Sequence, residues 1–116
     1  MIDMKKIILI FLFIFTILEA KEKMVLLNVG MHYCHWCQKM QREVFDNPKV
    51  MKKLKSKFRV ILMKKGDGKL PAGIKPHFFP TTYVLTPDMK KVDDELPGYM
   101  SAEDLLNYFD LLDLKE

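Results

Sequence analysis

Met24 to Gly30, MVLLNVG, is an almost unbroken apolar run closed by a glycine. A run this short and uniform predicts a strand buried on both faces, as in the middle of an α/β sheet. From His35 the spacing turns helical, with Met40 and Val44 four apart. FDNPKV interrupts that pattern: Asp46 or Asn47 can cap a new helix and Pro48 suits its first turn. Val50, Met51 and Leu54 form the apolar face of this second helix, while Lys52, Lys53, Lys55 and Lys57 point elsewhere. FRVILMK, Phe58 to Lys64, predicts a second central strand. KGDGKLPAGIKPH, with three glycines and two prolines, predicts a loop or a short irregular helix.

TTYVLT, Thr81 to Thr86, is β-branched and apolar and predicts a third strand. PDMK is a turn, and the more polar KVDDEL predicts a fourth strand at a sheet edge. Ser101 caps a last helix, with Asp104 three residues on as a weak capping box. Leu105, Leu106, Phe109 and Leu112 give that helix one apolar stripe. The first two strands, joined by helix, should run parallel, and the last two, joined by a tight turn, antiparallel. The predicted class is α/β: one mixed four-stranded sheet with helices on its faces.

The N-terminus changes the picture of where the chain works. Lys5 and Lys6 precede an apolar run from Ile7 to Leu18 that is 12 residues long, and Ala20 follows as a candidate last residue before cleavage. That is the layout of a secretory signal peptide, and the run falls short of the roughly 20 residues that span a bilayer. The predicted organisation is a signal peptide at 1–20 and one domain at 21–116, exported to the periplasm. Removing residues 1–20 takes away two lysines, one aspartate and one glutamate, so the net charge stays at +4. This mild basic bias without a long basic block gives no nucleic-acid footprint.

The chain has two cysteines, Cys34 and Cys37, in YCHWCQKM. In an exported protein a pair three apart is a poor staple, because closing so short a loop removes little entropy from the unfolded chain. Haem attachment needs a histidine directly after the second cysteine, where this chain has Gln38. A structural zinc site needs four ligands, and His32, His35 and His77 come without a second pair at the usual spacing. Cys34 falls where a buried strand gives way to a helix, whose first N–H groups and partial positive charge stabilise a thiolate. His35 can add a donor or a positive charge, and Cys37 can resolve a mixed disulfide formed on Cys34. The spacing favours a redox dithiol. Two alternatives stay open on the residues: a soft copper site or copper-delivery module using the same cysteines with Met31 or His32, and an inert disulfide in a non-catalytic partner-binding domain.

CHWCQKMQREVFDNPKV resembles the active-site region of thioredoxin-like domains. The order C-H-W-C-x-x-M-x-x-E-x-F is similar to the thioredoxin-like domain of the spermatogenesis-associated/YyaL-type proteins. EVFDNPKV resembles the segment after the active site in the C-terminal domain of the periplasmic reductase DsbD. FFPTTYVL resembles the superfamily's second signature, a cis-proline opposite the cysteines. The resemblance implies a thioredoxin-like fold over most of residues 24 to 113, trimmed of the usual extra N-terminal strand and helix. It implies that Cys34 attacks, Cys37 resolves, and Phe79 and Pro80 form the adjoining wall, with the Phe79 backbone open to an extended substrate. Tyr33 and Trp36 would form an apolar rim, and His35 would tune the thiol. No cofactor and no resident metal are implied. The implied partners are proteins with disulfides to be reduced, and a membrane or soluble thiol-disulfide electron donor; a monomer is expected. One departure stands out. Six residues before Cys34, where many thioredoxins carry a buried aspartate that helps move the resolving thiol's proton, this chain has Asn28. His32 and Glu43 are the candidate substitutes.

Overall fold

The computed structural model describes residues 4–7 and 23–115. Nearly all of the segment read as a signal peptide, with the Ala20 cut, lies outside the described residues, as does most of the region where an extra N-terminal strand or helix would fall. Strand β1, Met24–Gly30, is buried along almost its whole length. Its alternation divides the core in two. Leu26 points into a cluster with Met40, Val44, Val50, Leu54, Leu105 and Phe109. Val25, Leu27 and Val29 point the other way, against Ile74, Tyr83 and Leu85. A strand with a core on each side has to be apolar at successive positions, which is the pattern in its sequence.

Helix α1, His35–Met40, starts after β1 and runs into a single π-helical turn at Gln41–Phe45. The sequence predicts one uninterrupted helix here. The wider turn brings both Val44 and Phe45 into the core, two adjacent positions that a regular helix would splay by about 100°. Helix α2, Pro48–Lys57, begins on Asn47, whose side-chain oxygen accepts the Lys49 and Val50 N–H groups. Asp46 serves otherwise, accepting from the Gln41 amide at 2.9 Å. All five lysines of α2 are exposed, as expected of a solvated face.

Strand β2, Phe58–Lys64, pairs parallel with β1 in register Met24 to Phe58. Strand β3, Thr81–Leu85, pairs with β1 antiparallel, and strand β4, Leu96–Pro97, pairs with β3 antiparallel. The sheet order is β2-β1-β3-β4. Two expectations are corrected. Strand β2 is an edge of the four-stranded sheet, not a central strand, and its alternating burial, with Arg59, Leu62 and Lys64 exposed, fits that place. The expected fourth strand, KVDDEL, makes one bridge, Lys91 with Leu85, and regular pairing waits until Leu96–Pro97. Successive carboxylates at Asp93 and Asp94 are exposed and have no reason to lie flat on a sheet.

Helix α3, Ala102–Lys115, starts on Ser101, whose hydroxyl accepts the Asp104 N–H. Leu105 and Phe109 are buried, with Leu106 and Leu112 packed alongside, and the Phe109 ring lies 4.6 Å from that of Phe58. The buried side chains of α1, α2 and α3 all enter the cluster around Leu26. The opposite face of the sheet is closed by the connection between β2 and β3, through Leu70, Ile74 and Phe79. That glycine- and proline-rich loop thus has two tasks: it covers β1 and delivers Phe79 and Pro80 to the C-terminal end of the strand.

Candidate functional site

Cys34 and Cys37 are joined as a disulfide, with their Cα atoms 5.2 Å apart. Local geometry follows from the strand-to-helix junction. Cys34 is the N-cap of α1, with extended backbone angles, and its sulfur accepts the Cys37 N–H at 3.2 Å. The Gln38 N–H bonds the Cys34 carbonyl at 3.0 Å and closes the first turn. A sulfur in this position faces the free N–H groups that favour negative charge. Both cysteines are half-buried.

The wall expected beside them is present. The Phe79–Pro80 peptide bond is cis, Pro80 is buried, and the Phe79 carbonyl oxygen lies 3.8 Å from Cys34 Sγ. The Pro80 carbonyl accepts the Gly98 N–H at 2.7 Å, which ties this wall to the end of β4. Thr81 adds a bond from its hydroxyl to the Phe78 carbonyl. Tyr33 is fully exposed and holds a positive φ of 59° at the turn before Cys34. Trp36 is 52% exposed and Phe78 66% exposed. Tyr33, Trp36 and Phe78 thus leave large apolar groups open to solvent on segments flanking the disulfide and its wall. His35 is exposed and its ring meets Trp36 edge-on at 5.4 Å.

Two residues near the site were missed by sequence reasoning. Lys39 stands over the Trp36 ring at 5.3 Å and the Tyr99 ring at 5.0 Å, and Trp36 and Tyr99 are 5.7 Å apart. The Tyr99 hydroxyl donates to Glu43. That bond to a carboxylate holds the Tyr99 hydroxyl above its ordinary pKa. Lys39 was legible in principle, being three residues after Trp36 on a helix. Tyr99 comes from a remote loop and no local signal announces it.

Asn28 is buried beneath α1, donating to Thr82 Oγ1 at 3.0 Å and lying 3.8 Å from Met40 Sδ. The proposed substitutes for a proton-accepting group are engaged elsewhere: Glu43 by Tyr99, and His32 by Asp67, 3.0 Å from both carboxylate oxygens. Among the described residues, no group of three or more His, Cys, Asp or Glu side chains gathers where one ion could be held. A cavity of about 370 Å³ reaches Cys37, bounded by Asn28, Met31, Tyr33, Leu62 and Met63 with Arg42 and Lys64. Gly30 packs close to Cys37 here: a methyl at its Cα would stand 3.4 Å from Cys37 Sγ. His77 is exposed and lines a separate, smaller cavity with Phe78, Thr81 and Glu95.

Comparisons with known proteins agree with this geometry. The model of the family described as "Thioredox_DsbH: Protein of unknown function, DUF255" matches residues 14–69. A thioredoxin from Thermus thermophilus shares 22% identity at a TM-score of 0.59, over 80% of this chain and 75% of its own. The DsbD C-terminal domain of Neisseria meningitidis in the reduced form shares 19% identity at a TM-score of 0.58, over 83% of this chain and 86% of its own. The oxidised form shares 17% at 0.55, over 77% and 79%. No curated protein matches this sequence. The fold is that of a thioredoxin-like domain: a mixed four-stranded sheet with flanking helices and a CXXC pair at the start of α1.

Proposed function

We propose that this thioredoxin-like domain is a thiol-disulfide oxidoreductase that reduces disulfides of partner proteins outside the cytoplasm. The observation that carries the reading is the Cys34–Cys37 disulfide at the helix start, half-buried, with the Phe79 carbonyl 3.8 Å from Cys34 Sγ. In the reduced protein the Cys34 thiolate attacks a partner disulfide, forming a Cys34–partner bond and releasing one partner thiolate. The Cys37 thiolate then attacks Cys34 Sγ, which re-forms the intramolecular disulfide and releases the second partner thiolate. Two electrons pass to the partner, and a thiol donor must return them. Cys34 suits the first step, since its sulfur already receives the Cys37 N–H. Tyr33, Trp36 and Phe78 offer apolar contact to a polypeptide, and Phe79 offers backbone for pairing. Export is supported by Lys5-Lys6 and the apolar run to Leu18, with cleavage after Ala20.

The test is insulin reduction together with trapping. Cys34→Ser should abolish reduction. Cys37→Ser should accumulate mixed disulfides on Cys34, because attack proceeds and release does not. If both variants reduce insulin as well as the wild type, the reading is wrong.

A further inference from the structure

Two lysines are held against the groups that surround the disulfide. The Lys65 ammonium stands over the Phe79 ring at 5.7 Å, and the Lys65 N–H bonds the Gly30 carbonyl at 2.8 Å, which ties this residue to the end of β1. Lys39 stands over Trp36 and Tyr99, and Tyr99 follows Gly98, the residue that bonds the Pro80 carbonyl. One cation is thus held at Phe79 and another next to the segment bonded to Pro80. Among the described residues neither is ion-paired. Arg42 and Lys64 add the same sign to the lining of the cavity that reaches Cys37. The acids close to the two lysines in sequence have other partners. Glu43, four residues after Lys39, accepts the Tyr99 hydroxyl, and Asp67, two after Lys65, faces His32 at 3.0 Å. Asp94 and Glu95 line a separate cavity with Phe78, and Glu95 pairs with Lys91 at 3.0 Å.

We propose that the partner segment reduced here is acidic: an extended polypeptide with carboxylate side chains beside its cysteine, met by Lys65 and Lys39. This rests on the oxidoreductase reading and names its substrate class. Tyr33, Trp36 and Phe78 offer contact to any apolar polypeptide alike, so discrimination among partners falls to charge. An ammonium resting on an aromatic face is already positioned, and the N–H groups turned away from the ring remain for a carboxylate. Placing the lysine before the partner arrives removes part of the ordering cost that weakens exposed ion pairs. Lys39 is half-buried, so solvent screens it less than a fully exposed lysine. A substrate strand paired with the Phe79 backbone brings the residues flanking its cysteine next to the ring that Lys65 covers. The electron transfer is the one already described: the carboxylates bind and are not consumed. Their attraction to the cations raises the rate of encounter and makes it depend on salt.

The test uses the full chain, reduced with dithiothreitol and desalted, and peptides linked as symmetric disulfides. In these the cysteine is flanked by two glutamates, two glutamines or two lysines. Oxidation of the protein is followed by stopped-flow fluorescence of its single tryptophan, Trp36. Each rate is divided by that of dithiothreitol on the same peptide, which removes the peptide's own reactivity. The glutamate peptide should lead the lysine peptide by about tenfold at about 20 mM salt, with the gap closing at about 0.5 M. Lys39→Gln/Lys65→Gln should cut the glutamate-to-glutamine ratio roughly three- to tenfold. Lys52→Gln/Lys53→Gln removes the same charge from the solvated face of α2 and should leave that ratio within about twofold. Lys65 is exposed, so Lys65→Gln alone, with an expected loss of about two- to threefold, keeps the test decisive if Lys39→Gln disturbs α1. Equal relative rates for the three peptides overturn the proposal. So does a preference that survives the loss of Lys39 and Lys65, or one that falls as far in the α2 control. A wild type that reduces no peptide defeats the oxidoreductase function and the proposal with it, whereas one that reduces all three alike defeats only the acidic substrate.

Discussion

Reducing the disulfide should lower the stability of the fold, and by how much bears on the direction of electron flow. Cys34 and Cys37 are three apart, so oxidation closes a loop of about four residues in the unfolded chain. The chain-entropy relation puts that constraint at about 2 kcal/mol in favour of the oxidised fold. The opposing contribution is thiolate stabilisation in the reduced fold. A thiol lowered from the ordinary pKa of about 8.5 to about 7 contributes only about 0.4 kcal/mol at pH 7, and it must fall to about 5.5 to cancel the loop effect. The N–H of Cys37 already points at Cys34 Sγ in the disulfide, so only the added charge is new on reduction. The oxidised form should therefore be more stable by roughly 1–2 kcal/mol. By the thermodynamic cycle, the folded dithiol is then about 20–40 mV more reducing than the same dithiol in the unfolded chain. Urea unfolding at pH 7 with and without excess phosphine reductant measures this directly. With a slope of about 1 kcal/mol/M, the midpoint should drop by about 1–2 M on reduction. If the reduced form is instead the more stable by 1 kcal/mol or so, the fold prefers the dithiol, and the reducing direction argued above is wrong.

Further outcomes follow from the core and its polar groups. Phe109→Ala empties a site 2% exposed against Phe58 and should cost about 3–5 kcal/mol, enough to leave much of the protein unfolded; a urea midpoint within error of wild type would show that α3 does not carry the core. Tyr83, by burial and then Glu95, and Tyr108, by burial and then its bond to Asp93, are both held above the ordinary tyrosine pKa. A folded pKa above the unfolded one means stability is whole below about pH 10 and is lost as pH rises through the folded values, which phenolate absorbance and circular dichroism will show as a coupled alkaline transition. Asn28→Asp puts a carboxyl in a buried site beside Thr82 and Met40. Burial should raise its folded pKa above the unfolded value of about 3.9, so the variant should weaken relative to wild type as pH climbs from about 4, by up to about 1.4 kcal/mol per unit until the folded pKa is reached. Urea midpoints that track wild type from pH 4 to 8 would mean the position is not dry.

The parts of this protein carried by local pattern were readable in order. Buried β1 is apolar at consecutive positions because it has core on both faces, and β3, buried at all five positions, shares that demand. Asn47 with Pro48, and Ser101 before its helix, announce helix starts because a side-chain oxygen can satisfy N–H groups two or three residues on. Cys34 and Cys37 are close in sequence, so helix geometry alone brings their sulfurs together. What depended on distant segments was not legible. Phe58 to Lys64 looks like a central strand until the sheet order leaves it at the edge, since periodicity reports burial and not neighbours. The polar run after the β3 turn reads as a strand, but two adjacent exposed aspartates and a single bridge cut its pairing back to Leu96–Pro97. The π-helical turn answers to the core's demand for both Val44 and Phe45. Tyr99 on Lys39 and Trp36, and the placing of Arg42 and Lys64 around one cavity with Cys37, arise only when the loop after β4, the π-helical turn and the end of β2 converge on α1. Local sequence determines which residues can carry the chemistry through short-range geometry. Tertiary packing alone decides which cations and rings surround it, because those contacts join segments that share no local pattern.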